Sequence, residues 1–173
     1  GVINSNGDSI IEPAYDEMIV IPNSKKDVFL CMYDVNYSDG TYKTKAINSK
    51  NEQLFTSYTS VEPLSNYNSN KETWYETTAL KVQKDGKYGL INIDGNEILS
   101  CMYDKVDTIK GIKNSILIQK DGLYGVVNAT GNIIIEPQYS DIQGLTDEYT
   151  NGYIVKNSEN SYGVIGVNKE QIL

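Results

Sequence analysis

One short phrase recurs four times along the chain, and its spacing limits what the chain can fold into more than any other feature. Gly1-Val-Ile-Asn-Ser-Asn-Gly7, Gly89-Leu-Ile-Asn-Ile-Asp-Gly95, Gly125-Val-Val-Asn-Ala-Thr-Gly131 and the looser Tyr162-Gly163-Val-Ile-Gly-Val-Asn168 superpose without gaps. Self-similarity of this kind marks an array of supersecondary units, none of which can bury its apolar face alone. The register extends past the phrase: Ile10 falls on Ile98 and Ile134, Ile11 on Leu99 and Ile135, Tyr15 on Tyr103 and Tyr139, and Glu12-Pro13 recurs as Glu136-Pro137. The step is 36 residues from Gly89 to Gly125 and 38 from Gly125 to Gly163, while the 88 from Gly1 to Gly89 is two steps with extra loop. The remaining copy is Ile47-Asn48-Ser-Lys-Asn51-Glu-Gln-Leu54-Phe55, followed by Tyr58 and Val61, with its glycines lost. Cys31-Met-Tyr-Asp34 and Cys101-Met-Tyr-Asp104 look alike but sit at different phases of the unit, so their match is coincidence.

Within a unit, apolar and polar residues alternate, which is the period of a strand and not of a helix. In the third unit the pattern predicts strands over Thr78 to Gln83, Tyr88 to Ile93 and Asn96 to Ser100. Asp-Gly and Asn-Gly pairs punctuate them, supplying the positive φ that tight hairpins need. A short apolar stretch follows each Tyr-Asp or Tyr-Ser, as at Met18 to Ile21 and Val106 to Ile109, and reads either as a fourth strand or as one helical turn. No segment carries a helical stripe, so almost no helix is expected. The fold class is all-β: tandem antiparallel hairpin or meander repeats of three to four strands, about 36–44 residues each. The whole of 1–173 reads as one array, with units near 1–27, 28–73, 74–113, 114–152 and a partial 153–173. Gly1 to Ile11 and Gly163 to Leu173 share one phase, so they duplicate and do not complement each other. That favours an open β superhelix over a closed, propeller-like ring, and both ends fall mid-unit, as in a segment of a longer protein.

The aromatic and glycine pairs Tyr88-Gly89, Tyr124-Gly125 and Tyr162-Gly163 sit at one phase. With their flanks, Asp-Gly-Lys-Tyr-Gly-Leu-Ile-Asn-Ile-Asp-Gly-Asn-Glu-Ile-Leu and Asp-Gly-Leu-Tyr-Gly-Val-Val-Asn-Ala-Thr-Gly-Asn-Ile-Ile-Ile-Glu-Pro-Gln-Tyr, the chain resembles the bacterial WG repeat, also called the KWG repeat. Here tyrosine replaces each family tryptophan, the sole tryptophan, Trp74, lies outside the motif, and Cys101 stands where two other units carry Pro13 and Pro137. The resemblance implies a tandem all-β array with no assigned catalytic residues. Mechanically, a large ring covers the neighbouring hairpin while the following glycine admits another backbone. Tyr88, Gly89, Tyr124, Gly125, Tyr162, Gly163 and the recurring Tyr15, Tyr103 and Tyr139 are therefore assigned to repeat packing.

Composition narrows the chemistry. The net charge is −8, and all fifteen cationic residues are lysine, so no arginine is present to grip phosphate bidentately. Nucleic acid and anionic membranes are disfavoured as partners, and no apolar run is long enough to insert into a bilayer. The lysine pair at Lys25-Lys26 reads as a solvated loop tip. Histidine is absent, which removes Ser-His-Asp and Cys-His machinery and imidazole metal ligands. Carboxylate pairs recur along an array and do not converge on one sugar. No metal site, cofactor or disulfide is expected; Cys31 and Cys101 read as free thiols, and their scarcity fits a secreted or cell-surface protein as well as a cytosolic one. Asn128-Ala-Thr matches a glycosylation acceptor, but Asn128 holds the structural Asn position of the repeat.

One polar stretch, 63–73, breaks the period and reads as a long loop between units two and three. Insertions in repeat proteins often lie on the binding face, which makes Tyr67, Trp74 and Tyr75 the candidate contact residues. A non-catalytic binding scaffold for a protein, peptide or cell-wall glycan ranks first, a structural spacer second, and a carbohydrate-active enzyme with paired carboxylates third.

Overall fold

The computed structural model describes residues 1–21, 26–67, 70, 72–146 and 151–170, and among them every regular element is a strand. The first sheet pairs β1 (Val2–Ile3) with β2 (Ser9–Ile11). The second runs in order through β3 (Glu17–Val20), β4 (Phe29–Asn36), β5 (Thr41–Ile47) and β6 (Gln53–Leu54). The third joins β7 (Ser60–Glu62), β10 (Leu80–Lys84), β11 (Lys87–Ile91) and β12 (Glu97–Tyr103), with the hairpin of β8 (Ser65–Tyr67) and β9 (Thr73–Tyr75) inserted between β7 and β10. The fourth is β13 (Lys105–Thr108), β14 (Ile116–Lys120), β15 (Leu123–Val127) and β16 (Ile133–Tyr139); the fifth is β17 (Asp141–Thr146), β18 (Asn151–Lys156) and β19 (Tyr162–Gly166). All pairings are antiparallel, among the described residues no strand pairing joins the fifth sheet to the first, and the sheets form an open tandem array.

The short stretch after each Tyr-Asp or Tyr-Ser is a strand, and it opens the next sheet instead of closing the previous one. Asp16, Asp104 and Ser140 make the crossing: their N–H groups donate to Met32, Gln119 and Lys156 carbonyls, each in the second strand of the sheet being entered. At Asp104 the carboxylate also accepts from Lys87 Nζ and, at 2.9 Å, from the Asp121 N–H, so one side chain ties the third sheet to the fourth.

Alternating side chains feed different cores. Leu90 packs with Leu99, Val106, Ile116, Ile118 and Val127 between the third and fourth sheets, whereas its neighbour Ile91 packs with Ile21, Leu30, Ala46, Val61 and Val82 between the second and third. Val126 and Val127 divide in the same way, Val126 joining Ile135, Ile142, Tyr153 and Val155 between the fourth and fifth sheets. Ile11, Phe29, Cys31 and Ile47 fill the space between the first and second.

The recurring glycines do two distinct jobs. Opposite Gly89, the pairing jumps from Tyr88↔Tyr103 to Leu90↔Leu99; opposite Gly125 it jumps from Tyr124↔Tyr139 to Val126↔Ile135. The last strand bulges there and its backbone presses on the glycine: a Cβ on Gly125 would lie 2.5 Å from the Ile135 oxygen and 2.7 Å from Pro137 N. Proline suits this place because a bulged edge strand asks no donor of it. The last strand therefore runs on to Tyr103, past the expected end at Ser100. Of the phrase-final glycines, Gly95 and Gly131 act between sheets, and a Cβ on Gly131 (φ +84) would lie 2.4 Å from the Ile98 oxygen, whereas Gly7 has nothing within 4 Å.

The phrase asparagine builds the turn between them. Asn92 Oδ1 accepts the N–H groups of Asp94 and Asn96, both at 2.9 Å, and Asn128 Oδ1 does the same for Thr130 and Asn132 at 3.1 and 2.8 Å. Asn4 and Asn48 repeat the arrangement, and outside the phrase Asn157 makes it in the turn between β18 and β19. In the second copy Asn51 (φ 60) holds the left-handed position that glycine takes elsewhere, as Asn160 (φ 64) does in the β18–β19 turn. In the fourth phrase Gly166 replaces the capping asparagine and Lys169 the glycine, yet Gly166 N–H still reaches the Glu170 carbonyl at 2.7 Å.

Two outcomes are expected. Gly125→Ala lowers unfolding free energy by about 3 kcal/mol, because backbone has to move, while Gly122→Ala, with φ +81 and nothing within 4 Å, costs about 1 kcal/mol; urea denaturation of both variants checks this. The Lys87 ammonium, aided by the Asp121 and Gly122 N–H groups, holds the Asp104 carboxyl below its ordinary range. Its stabilisation is thus complete above the unfolded carboxylate pKa of about 4 and lost as pH falls through the lower folded value. Asp104→Asn is expected to be destabilised at neutral pH, with the gap from the parent closing in acid, as read by melts across pH.

Candidate functional site

The opening strands of the sheets meet along one wall. Counting from Tyr15, Tyr58, Tyr103 and Tyr139, the third residue onward is Met18, Val61, Val106 or Ile142, each packed into a core. Strand alternation sends the flanking positions to the other side. There stand Glu17, Glu62 and Asp107 on β3, β7 and β13, lining a single groove of about 390 Å³ with Ile19, Met32, Tyr42, Thr44, Tyr75 and Lys81. A second hollow of about 350 Å³ shares Tyr42, Thr44 and Glu62 with the first and adds Tyr33, Lys43, Gln83 and Tyr88. The two hollows adjoin along β5 and β7 at these three shared residues, and together are called the trough.

Charge in the trough is organised around lysines of the chain itself. Lys81 Nζ lies 2.6 Å from Glu62 Oε2 and 5.5 Å from the Tyr88 ring centroid, with the lysine and glutamate side chains 22% and 19% exposed. Lys45 Nζ sits 4.9 and 5.1 Å from the Tyr15 and Tyr33 rings, which meet edge to face at 6.4 Å. Lys43 pairs with Asp34 at 2.7 Å on the exposed hairpin, which raises the lysine pKa. Glu17 is exposed, and Asp107 is exposed with its nearest ammonium, Lys105 Nζ, at 4.0 Å. Among the described residues no group of three or more His, Cys, Asp or Glu side chains is placed to hold a metal ion.

Within the expected long loop over 63–73, Ser65–Tyr67 pairs with Thr73–Tyr75 as two antiparallel strands, and this corrects the sequence reading; residues 68, 69 and 71 lie outside the described residues. Its polarity belongs to a docking contact. Asn66, 2% exposed, donates its amide to the Ile109 and Ile112 carbonyls at 3.1 Å each and accepts the Gly111 and Tyr67 N–H groups at 2.8 Å each. Thr108 Oγ1 donates to the Ser65 carbonyl at 2.6 Å. The insertion in the third sheet thereby clasps the loop between β13 and β14 in the fourth.

That clasp disperses the three candidate contact residues. Tyr75 lines the trough and packs on the core between the second and third sheets. Tyr67 borders a separate hollow beside Lys110 and Leu117. Trp74, paired with Asn66, is half-buried with Lys113 Nζ 6.0 Å from its ring. Among the repeat tyrosines, Tyr88 faces Tyr103 and Tyr124 faces Tyr139 across strand pairs, and burial raises the Tyr103 pKa. Tyr162 and Gly163 lie on β19 opposite Lys156 and Val155, with Tyr162 67% exposed and Lys156 Nζ 5.4 Å from its ring. Cys31 and Cys101 are free, and burial raises both thiol pKa values. Of the lysine pair assigned to a loop tip, Lys25 lies outside the described residues, and Lys26 Nζ is 2.6 Å from Asp94 in the third sheet.

Of the trough residues that the sequence reading passed over, Tyr42, Glu62 and Lys81, one had a signal, Glu62. Ser60-Val-Glu62 stands at the phase of Lys105-Val-Asp107, so an acid recurs at one position of the opening strand. Tyr42 and Lys81 gave none, because which strands flank a groove depends on how sheets stack. Asn66→Ala is expected to cost about 2–3 kcal/mol, since it strands the Ile109 and Ile112 carbonyls. As Trp74 is the sole tryptophan, a red shift of its emission reports the loosened hairpin.

No curated protein matches the chain. The family model described as WG containing repeat matches residues 1–23, 88–124 and 124–155, just over half of the chain. The matched segments carry the bulge glycines and capped turns described above, and the chain belongs to the WG containing repeat family.

Proposed function

We propose that the array is a non-catalytic binding module that holds an extended segment of a protein, peptide or cell-wall glycan in the trough between β5 and β7. The supporting observation is the adjacency of two hollows that share Tyr42, Thr44 and Glu62 and are bordered by Tyr33, Tyr75 and Tyr88. Tyrosine offers a large rigid surface with a polar tip and loses little rotamer freedom on binding. Tyr42 is 49% exposed, so its ring is open to a ligand. Acidic lining and the lack of arginine disfavour nucleic acid here.

A panel of extended peptides and cell-wall oligosaccharides, titrated against the parent and Tyr42→Ala, tests the reading. Tyr42→Ala is expected to weaken the best binder at least about tenfold, the scale of a hot-spot aromatic, with the circular dichroism unchanged. Equal binding by that variant, with loss in Tyr67→Ala or Trp74→Ala, would move the site to the insertion hairpin.

A further inference from the structure

The trough already seats one ammonium group, and this shows what its walls accept. Lys81 Nζ rests between the Glu62 carboxylate, at 2.6 Å, and the Tyr88 ring, at 5.5 Å to the centroid, in a largely sheltered position. A carboxylate on one side and a tyrosine face on the other is a favourable environment for a cation, since both the charge and the ring quadrupole attract it. The same wall repeats the carboxylate. Glu17 and Asp107, on the opening strands of the second and fourth sheets, line the trough with Glu62. Asp107 makes only a long ion pair, 4.0 Å, with Lys105 Nζ, and among the described residues the exposed Glu17 makes none.

Resting on the trough as the binding site, we infer that its occupant is an extended peptide segment bearing lysine side chains, whose ammonium groups take Glu17 and Asp107 while its body lies against Tyr42 and Tyr75. Charge complementarity supports this choice over the alternatives. An anionic glycan or polyphosphate meets three carboxylates along the wall and, against them, Lys81 and Lys43, both already paired. A bare metal ion lacks a site, because the described acids are not grouped to chelate one. A neutral glycan would use the tyrosines and leave Glu17 and Asp107 without a role. The protein as a whole, at −8, attracts a basic segment at long range and so speeds its capture.

The test is fluorescence anisotropy with a labelled peptide of alternating lysine and serine, its fully lysine-acetylated counterpart and a chitooligosaccharide as competitor. The lysine peptide is expected to bind, to weaken as salt rises, and to lose at least about tenfold in affinity on acetylation. The double variant Glu17→Gln/Asp107→Asn is expected to lose a similar factor, while Glu159→Gln, on the distant turn between β18 and β19, binds as the parent does. Equal binding of the acetylated peptide, or unchanged binding by the double variant, overturns the lysine assignment. If the acetylated peptide or the chitooligosaccharide binds in a Tyr42-dependent way while the lysine peptide does not, the trough stands and its ligand class is wrong. If no probe shows Tyr42-dependent binding, trough and ligand class fall together.

Discussion

Every sheet in this protein depends on its neighbours for a core. Leu90 and Ile91 are adjacent in the chain, fully buried, and committed to two different apolar clusters. A strand with both faces covered reads as an apolar run, and Leu90-Ile91 and Val126-Val127 are such runs within otherwise alternating units. The free energy of folding therefore resides at interfaces between modules, with each module contributing half of two cores. No single unit has enough apolar area to stand alone.

Close stacking at this density demands backbone-to-backbone approach, and the sequence meets the demand with two sets of glycines. Gly89 and Gly125 admit a bulge of the adjoining strand within a sheet; Gly95 and Gly131 admit Phe55 and Ile98 from the preceding one. Between these glycines the asparagine side chain substitutes for missing backbone partners, satisfying two N–H groups at each turn. The whole recurring phrase is thus a compact set of instructions: a place for the bulge, a pair of residues for two cores, a capped turn and a contact point for the next module.

Much of this was legible in the chain. Alternation and the Asp-Gly turns placed the strands of the third unit within a few residues, and the asparagine phase marked a structural role for Asn128 against its glycosylation pattern. The strand that follows each Tyr-Asp could not be distinguished from a helical turn by pattern, because four residues carry too little periodicity, and it is the ladders it forms, opened by the hydrogen bonds from Asp16, Asp104 and Ser140, that assign it to the next sheet. The hairpin at Asn66 was hidden for a related reason. Its polarity matched that of a solvated loop, whereas its amide is spent on carbonyls and N–H groups more than forty positions away. The trough was illegible in the same sense, being a product of stacking geometry and not of any one segment.

Cross-links between modules are unevenly shared out. Asn66 clasps the third sheet to the fourth, and the buried Ser115–Tyr153 hydroxyl pair, at 2.6 Å, fastens the fourth to the fifth. Between the second and third the polar ties are slighter, a Thr44 hydroxyl accepting from Val61 N–H at 3.2 Å and the surface Lys26–Asp94 pair, and the first sheet is only two short strands. Under tension along its length such a molecule does not yield uniformly. With fewer polar ties among the described residues on the amino-terminal side, the first sheets are expected to part before the clasped third, fourth and fifth.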